Sequence, residues 1–356
     1  MTPRSLHPIA WWVWALALGA TALQTTNPFL LGLLAASAWL VVAARRPSAP
    51  WAQSFGSFVK LGIAVIIVRI VLQMLFGVRL PGHELFTIPS VDLPEWAAGV
   101  TLGGPVTAES VIAAFNDGLQ LAVLLTCVGA ANSLASPYRL LRSMPAILYE
   151  LGVAVTVALS FAPQAVMSAQ RVREARRLRG RPSRGLAGLR GMAVPVLEIA
   201  LERSLELAAS MDSRGYGRRA PIAARDRQLA QLATLIGAVA ASIGVYGILD
   251  GAAPGGMGYP MFAGGVALLV ASFAYAGKQS VRTRYRPDPW RAPEWLVVAC
   301  GAVALAALLV ATDVGVAGLR PDFSPLAVPT VPLLPAIGIL AAAVPAFLTP
   351  ALPVTR

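Results

Sequence analysis

The centre of this chain reads EARRLRG at residues 174–180 and MDSRGYG at residues 211–217. Each segment contains an Arg-Gly pair, Arg179-Gly180 in the first and Arg214-Gly215 in the second. Glycine is common just past the C-terminus of a helix, and arginine suits the last turn because that end of the helix dipole is negative. The sequence therefore predicts two helices with matching ends that act on a soluble partner.

The composition on either side is that of an integral membrane protein. Of 356 residues, 56% are hydrophobic and 13% are charged, whereas a soluble domain carries about 25% charged residues. The net charge of +12 is clustered, which favours contact with anionic lipid and fixes orientation. Nucleic-acid binding is not expected beside so many apolar segments. Cys127 and Cys300 both lie in apolar runs, so neither a disulfide framework nor a metal cluster is predicted.

We predict an all-α polytopic membrane protein with about eight spanning helices and three regions. N-terminal membrane helices occupy 1–132, cytoplasmic coupling helices 133–227, and C-terminal membrane helices 228–356. Residues 77–105 are interpreted as a long loop. The expected spans are residues 9–23, 29–44, 55–76, 108–131, 229–249, 260–276, 294–311 and 331–348.

Basic residues predict that both termini are cytoplasmic in the plasma membrane, because lysine and arginine concentrate on inner loops. The expected outer loops hold only Arg79 and Arg320. Residues 147–166 are apolar and long enough to cross, yet arginines flank them on both sides. We therefore expect this segment to lie at the inner boundary, with a ninth span as the alternative. The inner basic residues are Arg4, Arg45, Arg46, Arg139, Arg142, the central arginines, Lys278, Arg282, Arg284, Arg286 and Arg291.

The two central helices carry opposite charge. The first is predicted over residues 170–179, and its arginines favour either anionic lipid or a partner with an acidic surface. The second is predicted to open at Pro195, because proline is tolerated at a first helical position. Its acidic stripe is either a solvated face or a surface that pairs with the first helix or with a partner; it comprises Glu198, Glu202 and Glu206.

Two charges lie inside expected spans. Arg69 and Asp117 fall at similar depth in antiparallel neighbours, and Asn116 is placed to add a hydrogen bond. An unpaired charge at this depth costs at least a few kcal/mol, so an ion pair is predicted. The pair either fixes helix packing or belongs to a solute path.

Catalytic and metal-binding motifs are not evident. The sequence contains no Gly-rich phosphate loop and no His-Glu metal spacing, so we expect a non-enzymatic protein without metal or cofactor.

These central residues resemble the transmembrane T component of energy-coupling factor transporters, the family that includes the membrane permease of cobalt-uptake systems. The family has two cytoplasmic coupling helices with short Ala-Arg-Gly-like ends, the second usually close to Ala-Met-Glu-Ala-Arg-Gly-Tyr. Here residues 209–216 read ASMDSRGY and residues 173–180 read REARRLRG. Leu178 and Ser213 stand where the family prefers alanine, and about four expected spans follow the coupling region, more than the family usually has.

The resemblance implies a scaffold that links two cytoplasmic ABC ATPase subunits to a small substrate-binding membrane subunit, for uptake of a vitamin or a transition-metal ion. Arg179 and Arg214 would meet acidic groups of the ATPases. The residues that the resemblance assigns to this coupling site are Arg176, Arg177, Arg179, Gly180, Met211, Asp212, Arg214 and Gly215. The alternative from the residues alone is a secondary transporter with its own solute path around Arg69 and Asp117.

Overall fold

The structure, a computed structural model, is all-α apart from one hairpin, as the sequence predicts. It describes residues 6–47, 49–76, 81–92, 101–143, 149–180, 185–215, 224–249, 258–278, 289–322 and 326–350. The first helices are α1 Pro8–Leu23, α2 Pro28–Arg45, α3 Ser54–Phe76, α4 Ala108–Leu134 and α5 Pro137–Arg142. The later ones are α6 Tyr149–Leu178, α7 Gly185–Ser213, α8 Ala224–Leu249, α9 Tyr259–Lys278, α10 Ala292–Asp313, α11 Leu333–Ala341 and α12 Pro345–Leu348.

The chain divides into two units. The first contains residues 1–140 and 288–356, and the second contains residues 141–287. In the first unit α1 packs on α4 and α10, while α2 packs on α4, α11 and α12. Trp14, Leu18 and Leu34 are fully buried among these helices. The last helices of the chain thus share a core with the first.

The turn between α1 and α2 ties together distant parts of the first unit. Asn27 caps α2 by accepting a hydrogen bond from the Phe29 amide (3.0 Å). The Nδ2 of its side-chain amide donates to the carbonyls of Gly318 (2.7 Å) and Thr330 (2.9 Å). Because Asn27 is completely buried, these bonds satisfy polar atoms that would otherwise be costly to enclose.

The expected span at 331–348 is interrupted. Between α11 and α12 the amides of residues 342–344 bond carbonyls three residues back, and Pro345 then opens α12 without an N–H group to donate. Side chains of α1 and α2 donate hydrogen bonds to backbone carbonyls at this break. Trp14 Nε1 donates to the Ala342 carbonyl (3.2 Å), and Arg45 Nε donates to the Ala346 carbonyl (3.0 Å). Partners of this kind allow irregular backbone at membrane depth.

The loop expected at 77–105 contains a β-hairpin in its described residues. Strand β1 Glu84–Asp92 pairs antiparallel with β2 Thr101–Thr107. Glu109, in the first turn of α4, anchors its base by accepting from the His83 backbone amide (2.8 Å) and lying 3.1 Å from His83 Nδ1. The sequence predicts a loop here and does not identify the hairpin within it, because proline and glycine interrupt the alternating pattern that marks a strand.

In the second unit, α6 packs on α7 and α8 packs on α9. Glycines bring α8 and α9 close: a Cβ at Gly237 would lie 3.0 Å from the Leu269 side chain, and one at Gly265 would collide with the Ala241 backbone. Thr234 and Ser272 add a hydrogen bond between the two hydroxyls (3.0 Å). Small residues and hydroxyl bonds of this kind are typical of helix pairs in membranes.

Six helices in the described residues are long and apolar enough to cross a membrane. Five of them match expected spans, and the other three expected spans coincide with shorter apolar helices. The sixth, Gly152–Leu178, includes most of the segment expected at the inner boundary. Its length and composition permit crossing, so the inner placement stays a prediction. The five matching helices are Pro28–Arg45, Ser54–Phe76, Ala108–Leu134, Gln228–Leu249 and Ala292–Asp313.

Candidate functional site

The two Arg-Gly helix ends have the same local structure. Helix α6 ends at Leu178 and α7 ends at Ser213, and the glycine that follows each arginine has positive φ, +67° at Gly180 and +74° at Gly215. In both turns the glycine amide bonds the carbonyl three residues back, at 3.0 Å for Gly180 and 2.8 Å for Gly215. The predicted glycine-terminated ends are therefore present. Tyr216 and Gly217 of the second motif lie outside the described residues.

The beginnings of both helices differ from the sequence prediction. Helix α6 starts at Tyr149 rather than residue 170, so the apolar segment and the arginine-rich segment form one helix. Helix α7 starts at Gly185 rather than Pro195. Pro163 and Pro195 lie inside these helices, where proline removes one backbone hydrogen bond without necessarily ending the helix.

The arginines near the end of α6 differ in how exposed their side chains are. Arg177 and Arg179 are exposed, as is Arg214 at the end of α7. Arg176 is only partly exposed, and its Nη1 donates to the Gly191 carbonyl of α7 (2.7 Å). Exposed guanidinium groups can bind a carboxylate with two parallel hydrogen bonds. Arg179 and Arg214 are thus available to an acidic partner, whereas Arg176 joins the two helices.

The Met211-Asp212 pair precedes the second Arg-Gly end. Asp212 is exposed and Met211 is partly buried in the last turns of α7. The Asp212 carbonyl accepts the Gly215 amide, and the Met211 carbonyl accepts the Arg214 amide (3.2 Å). These two backbone bonds shape the turn that presents Arg214.

The acidic stripe on α7 is exposed. Glu198, Glu202 and Glu206 are all exposed, and within the described residues none has a cationic side chain at ion-pair distance. Pairing with arginines of α6, one of the sequence alternatives, is therefore not seen there. An apolar stripe runs on the same helix and is also open, with Leu197, Leu201 and Leu205 each more than 60% exposed.

The charges within α3 and α4 form an ion pair. Arg69 Nη2 lies 2.7 Å from Asp117 Oδ2, and the two side chains are 42% and 47% exposed. Asn116 does not join them. Its side-chain amide instead donates to the Ile112 carbonyl one turn back (3.1 Å). The pairing expected from matched depth is present, and its role as packing or solute path stays open.

Exchanging these two charges provides a test of the pair. We expect Arg69→Met and Asp117→Asn each to lower the free energy of unfolding by about 1–3 kcal/mol, since each leaves one charge at membrane depth unpaired. Arg69→Asp combined with Asp117→Arg restores most of that loss. The free energy of unfolding is measured in mixed detergent micelles for the wild type and the three variants. A double exchange less stable than both single variants would show that the pairing contributes nothing to stability.

Sequence reasoning missed the Arg176–Gly191 contact. The signal was available, because a proline within a helix leaves the carbonyl four residues earlier without its usual donor, and Gly191 is four residues before Pro195. What the sequence could not supply is which side chain reaches that carbonyl.

No protein-family model matches this sequence. Among the described residues there is also no cluster of three or more His, Cys, Asp or Glu side chains that could hold a metal ion.

Proposed function

We propose that this chain is the membrane scaffold and energy-coupling subunit of an energy-coupling factor importer of the ABC type. The observation that carries the proposal is the pair of helices α6 and α7, each followed directly by an exposed arginine and then by a glycine of positive φ. Two equivalent ends suit two equivalent ATPase subunits. The resemblance of residues 173–180 and 209–216 to the coupling motifs of that family supports the same assignment.

In the proposed mechanism the chain performs no chemistry. Arg179 and Arg214 bind acidic groups on two cytoplasmic ATPase subunits, and ATP-driven closure of those subunits moves the helix ends. Helices α6 and α7 pass the movement to a small membrane subunit that has captured a vitamin or a transition-metal ion. A charge-assisted bond at a rigid helix end is suited to this task because its geometry is fixed by both partners.

The proposal sets a requirement on topology. The chain lies in the plasma membrane with both termini cytoplasmic, and residues 170–215 face the ATPase subunits on the same side. Helix α6 then lies at the inner boundary rather than crossing. Some of the basic residues that predict this topology lie outside the described residues, namely Arg4, Arg79, Arg282, Arg284 and Arg286.

Affinity capture of the full-length tagged chain from its native membranes tests the assignment. We expect proteins with a Gly-rich ATP-binding loop to be captured at two ATPase copies per chain. A thiol reagent that does not cross membranes should label a cysteine at Ser168 or Ser210 only after the cells are opened, with Cys127 and Cys300 replaced by alanine. Capture without any ATPase, or labelling of intact cells, would contradict the proposal.

A second candidate is a secondary transporter, which the partial exposure of the Arg69–Asp117 pair favours. A half-exposed ion pair within a span is the kind of group that lines a solute path. Under this hypothesis uptake follows an ion gradient and continues in cells that lack the ATPase subunits. Under the first proposal uptake stops when those subunits are removed.

A further inference from the structure

Pro195 leaves one carbonyl of α7 short of its normal partner. In an α-helix each amide donates to the carbonyl four residues earlier, and proline has no N–H to donate. Pro195 lies inside α7, so the carbonyl without its regular donor is that of Gly191. A backbone carbonyl in this position is available to a donor from outside the helix.

Arg176 of α6 supplies that donor. Its Nη1 lies 2.7 Å from the Gly191 oxygen, a short bond of the charge-assisted kind. Gly191 also makes room for the guanidinium, since a Cβ at this position would collide with Arg176 Nη1, Nη2 and Cζ. Two separate features of α7 thus accommodate the Arg176 side chain: Gly191 has no Cβ, and Pro195 has no N–H to occupy the Gly191 carbonyl.

We propose that Arg176, Gly191 and Pro195 form an interhelical latch that sets the angle between α6 and α7. Arg176 is a positioning residue and does not itself bind the ATPase subunits. It holds the beginning of α7 against the last turn of α6, one turn before the first Arg-Gly end. The existence of the latch is independent of the proposed function, whereas its role in energy coupling rests on it.

The latch lies where a small change in angle has a large effect. Because a helix rises about 1.5 Å per residue, Arg214 lies roughly 35 Å along α7 from Gly191. A tilt of about 10° at the latch would move that end by roughly 6 Å over this length. The latch therefore sets the direction in which α7 carries Arg214 relative to the end of α6.

The latch is tested first on the full-length chain without ATPase subunits. Spin labels at exposed Ser160 of α6 and exposed Ser210 of α7 report the angle between the two helices as a distance, because each position lies several turns from the latch. We expect Arg176→Met to raise the population of other distances about tenfold, the change that loss of a charged hydrogen bond produces. Arg177→Met is the matched control: it removes an adjacent, exposed arginine and should leave the distances unchanged. Arg176→Lys keeps a charged donor and should recover part of the wild-type distribution.

Two variants of α7 separate the latch from a general effect of charge. Pro195→Ala restores an amide that bonds the Gly191 carbonyl, so Arg176→Met should have much less effect in that background. Gly191→Ala favours the helix by propensity, yet it displaces the guanidinium and should broaden the distances as Arg176→Met does. Equal effects of Arg176→Met in the wild-type and Pro195→Ala backgrounds, or no effect of Gly191→Ala, would overturn the latch. Gly191→Ala keeps the test available should Arg176→Met fail to fold.

The role in coupling is measured separately on the assembled transporter. We expect Arg176→Met to retain bound ATPase subunits while the amount of solute imported per ATP falls several-fold. If the distances change and import per ATP does not, the latch exists and its coupling role is wrong. If no ATPase subunit assembles with the wild-type chain, the proposed function fails and the distance measurements still decide the latch.

Discussion

Under the proposed function, replacing Arg179 and Arg214 together with glutamate is expected to release the ATPase subunits from the membrane chain. A hydrogen bond to a charged group contributes about 1.5–3 kcal/mol, so losing one at each helix end weakens the complex by a factor of about 100 or more. Charge reversal adds repulsion between the new carboxylates and the acidic groups expected on the ATPases. Co-purification in detergent and titration of purified ATPase subunits onto the chain in lipid nanodiscs measure the loss.

The matched control reverses two other exposed arginines on the same helices. Arg171→Glu with Arg203→Glu makes the same change in net charge, and both residues are exposed on α6 and α7 away from the helix ends. We expect this variant to keep its ATPase subunits. Equal losses in the two variants would indicate a general attraction between a basic chain and acidic partners, and would contradict docking at the helix ends.

The helix ends were predictable because their signals are local. Gly180 and Gly215 adopt positive φ, a conformation in which glycine has no steric penalty, and a single dipeptide is enough to mark it. The Arg69–Asp117 pair was predictable for a different reason. Two isolated charges within apolar helices have few alternatives to each other, because leaving either unpaired in a membrane is costly.

The helix beginnings and the long-range contacts were not predictable in the same way. The sequence predicts a helix start at Pro195, but a proline inside a helix gives the same local signal when another group satisfies the freed carbonyl. Arg176 supplies that group from a different helix. The packing of α10 on α1 and the bonds from Asn27 to Gly318 and Thr330 likewise depend on contacts between residues far apart in the chain. No local pattern encodes such contacts.

Enlarging Gly118 is expected to separate α3 from α4. These helices approach through small residues: a Cβ at Gly118 would lie 2.9 Å from the Ile66 Cα, and one at Gly62 would lie 3.1 Å from the Ala122 Cβ. Gly118→Leu places a full side chain against backbone, which cannot move aside as a flexible side chain can. Overpacking costs about 3 kcal/mol in a tight interface, and the better helix propensity of leucine returns less than about 1 kcal/mol. Unfolding in mixed detergent micelles should therefore show a net loss of about 2 kcal/mol or more.

Gly56→Leu is the control for this substitution, because Gly56 also lies in α3 and a Cβ there meets nothing within 4 Å. It keeps the gain in propensity without the collision, so we expect it to be neutral or slightly stabilising. The ion pair gives a second readout, since Arg69 Cβ lies 3.5 Å from the position of a Cβ at Gly118. Once α3 is displaced, the ion pair is already broken. Adding Asp117→Asn to the Gly118→Leu protein should therefore lower the free energy of unfolding by little more. If Asp117→Asn costs the same in both backgrounds, the spacing set by Gly118 does not hold the ion pair together.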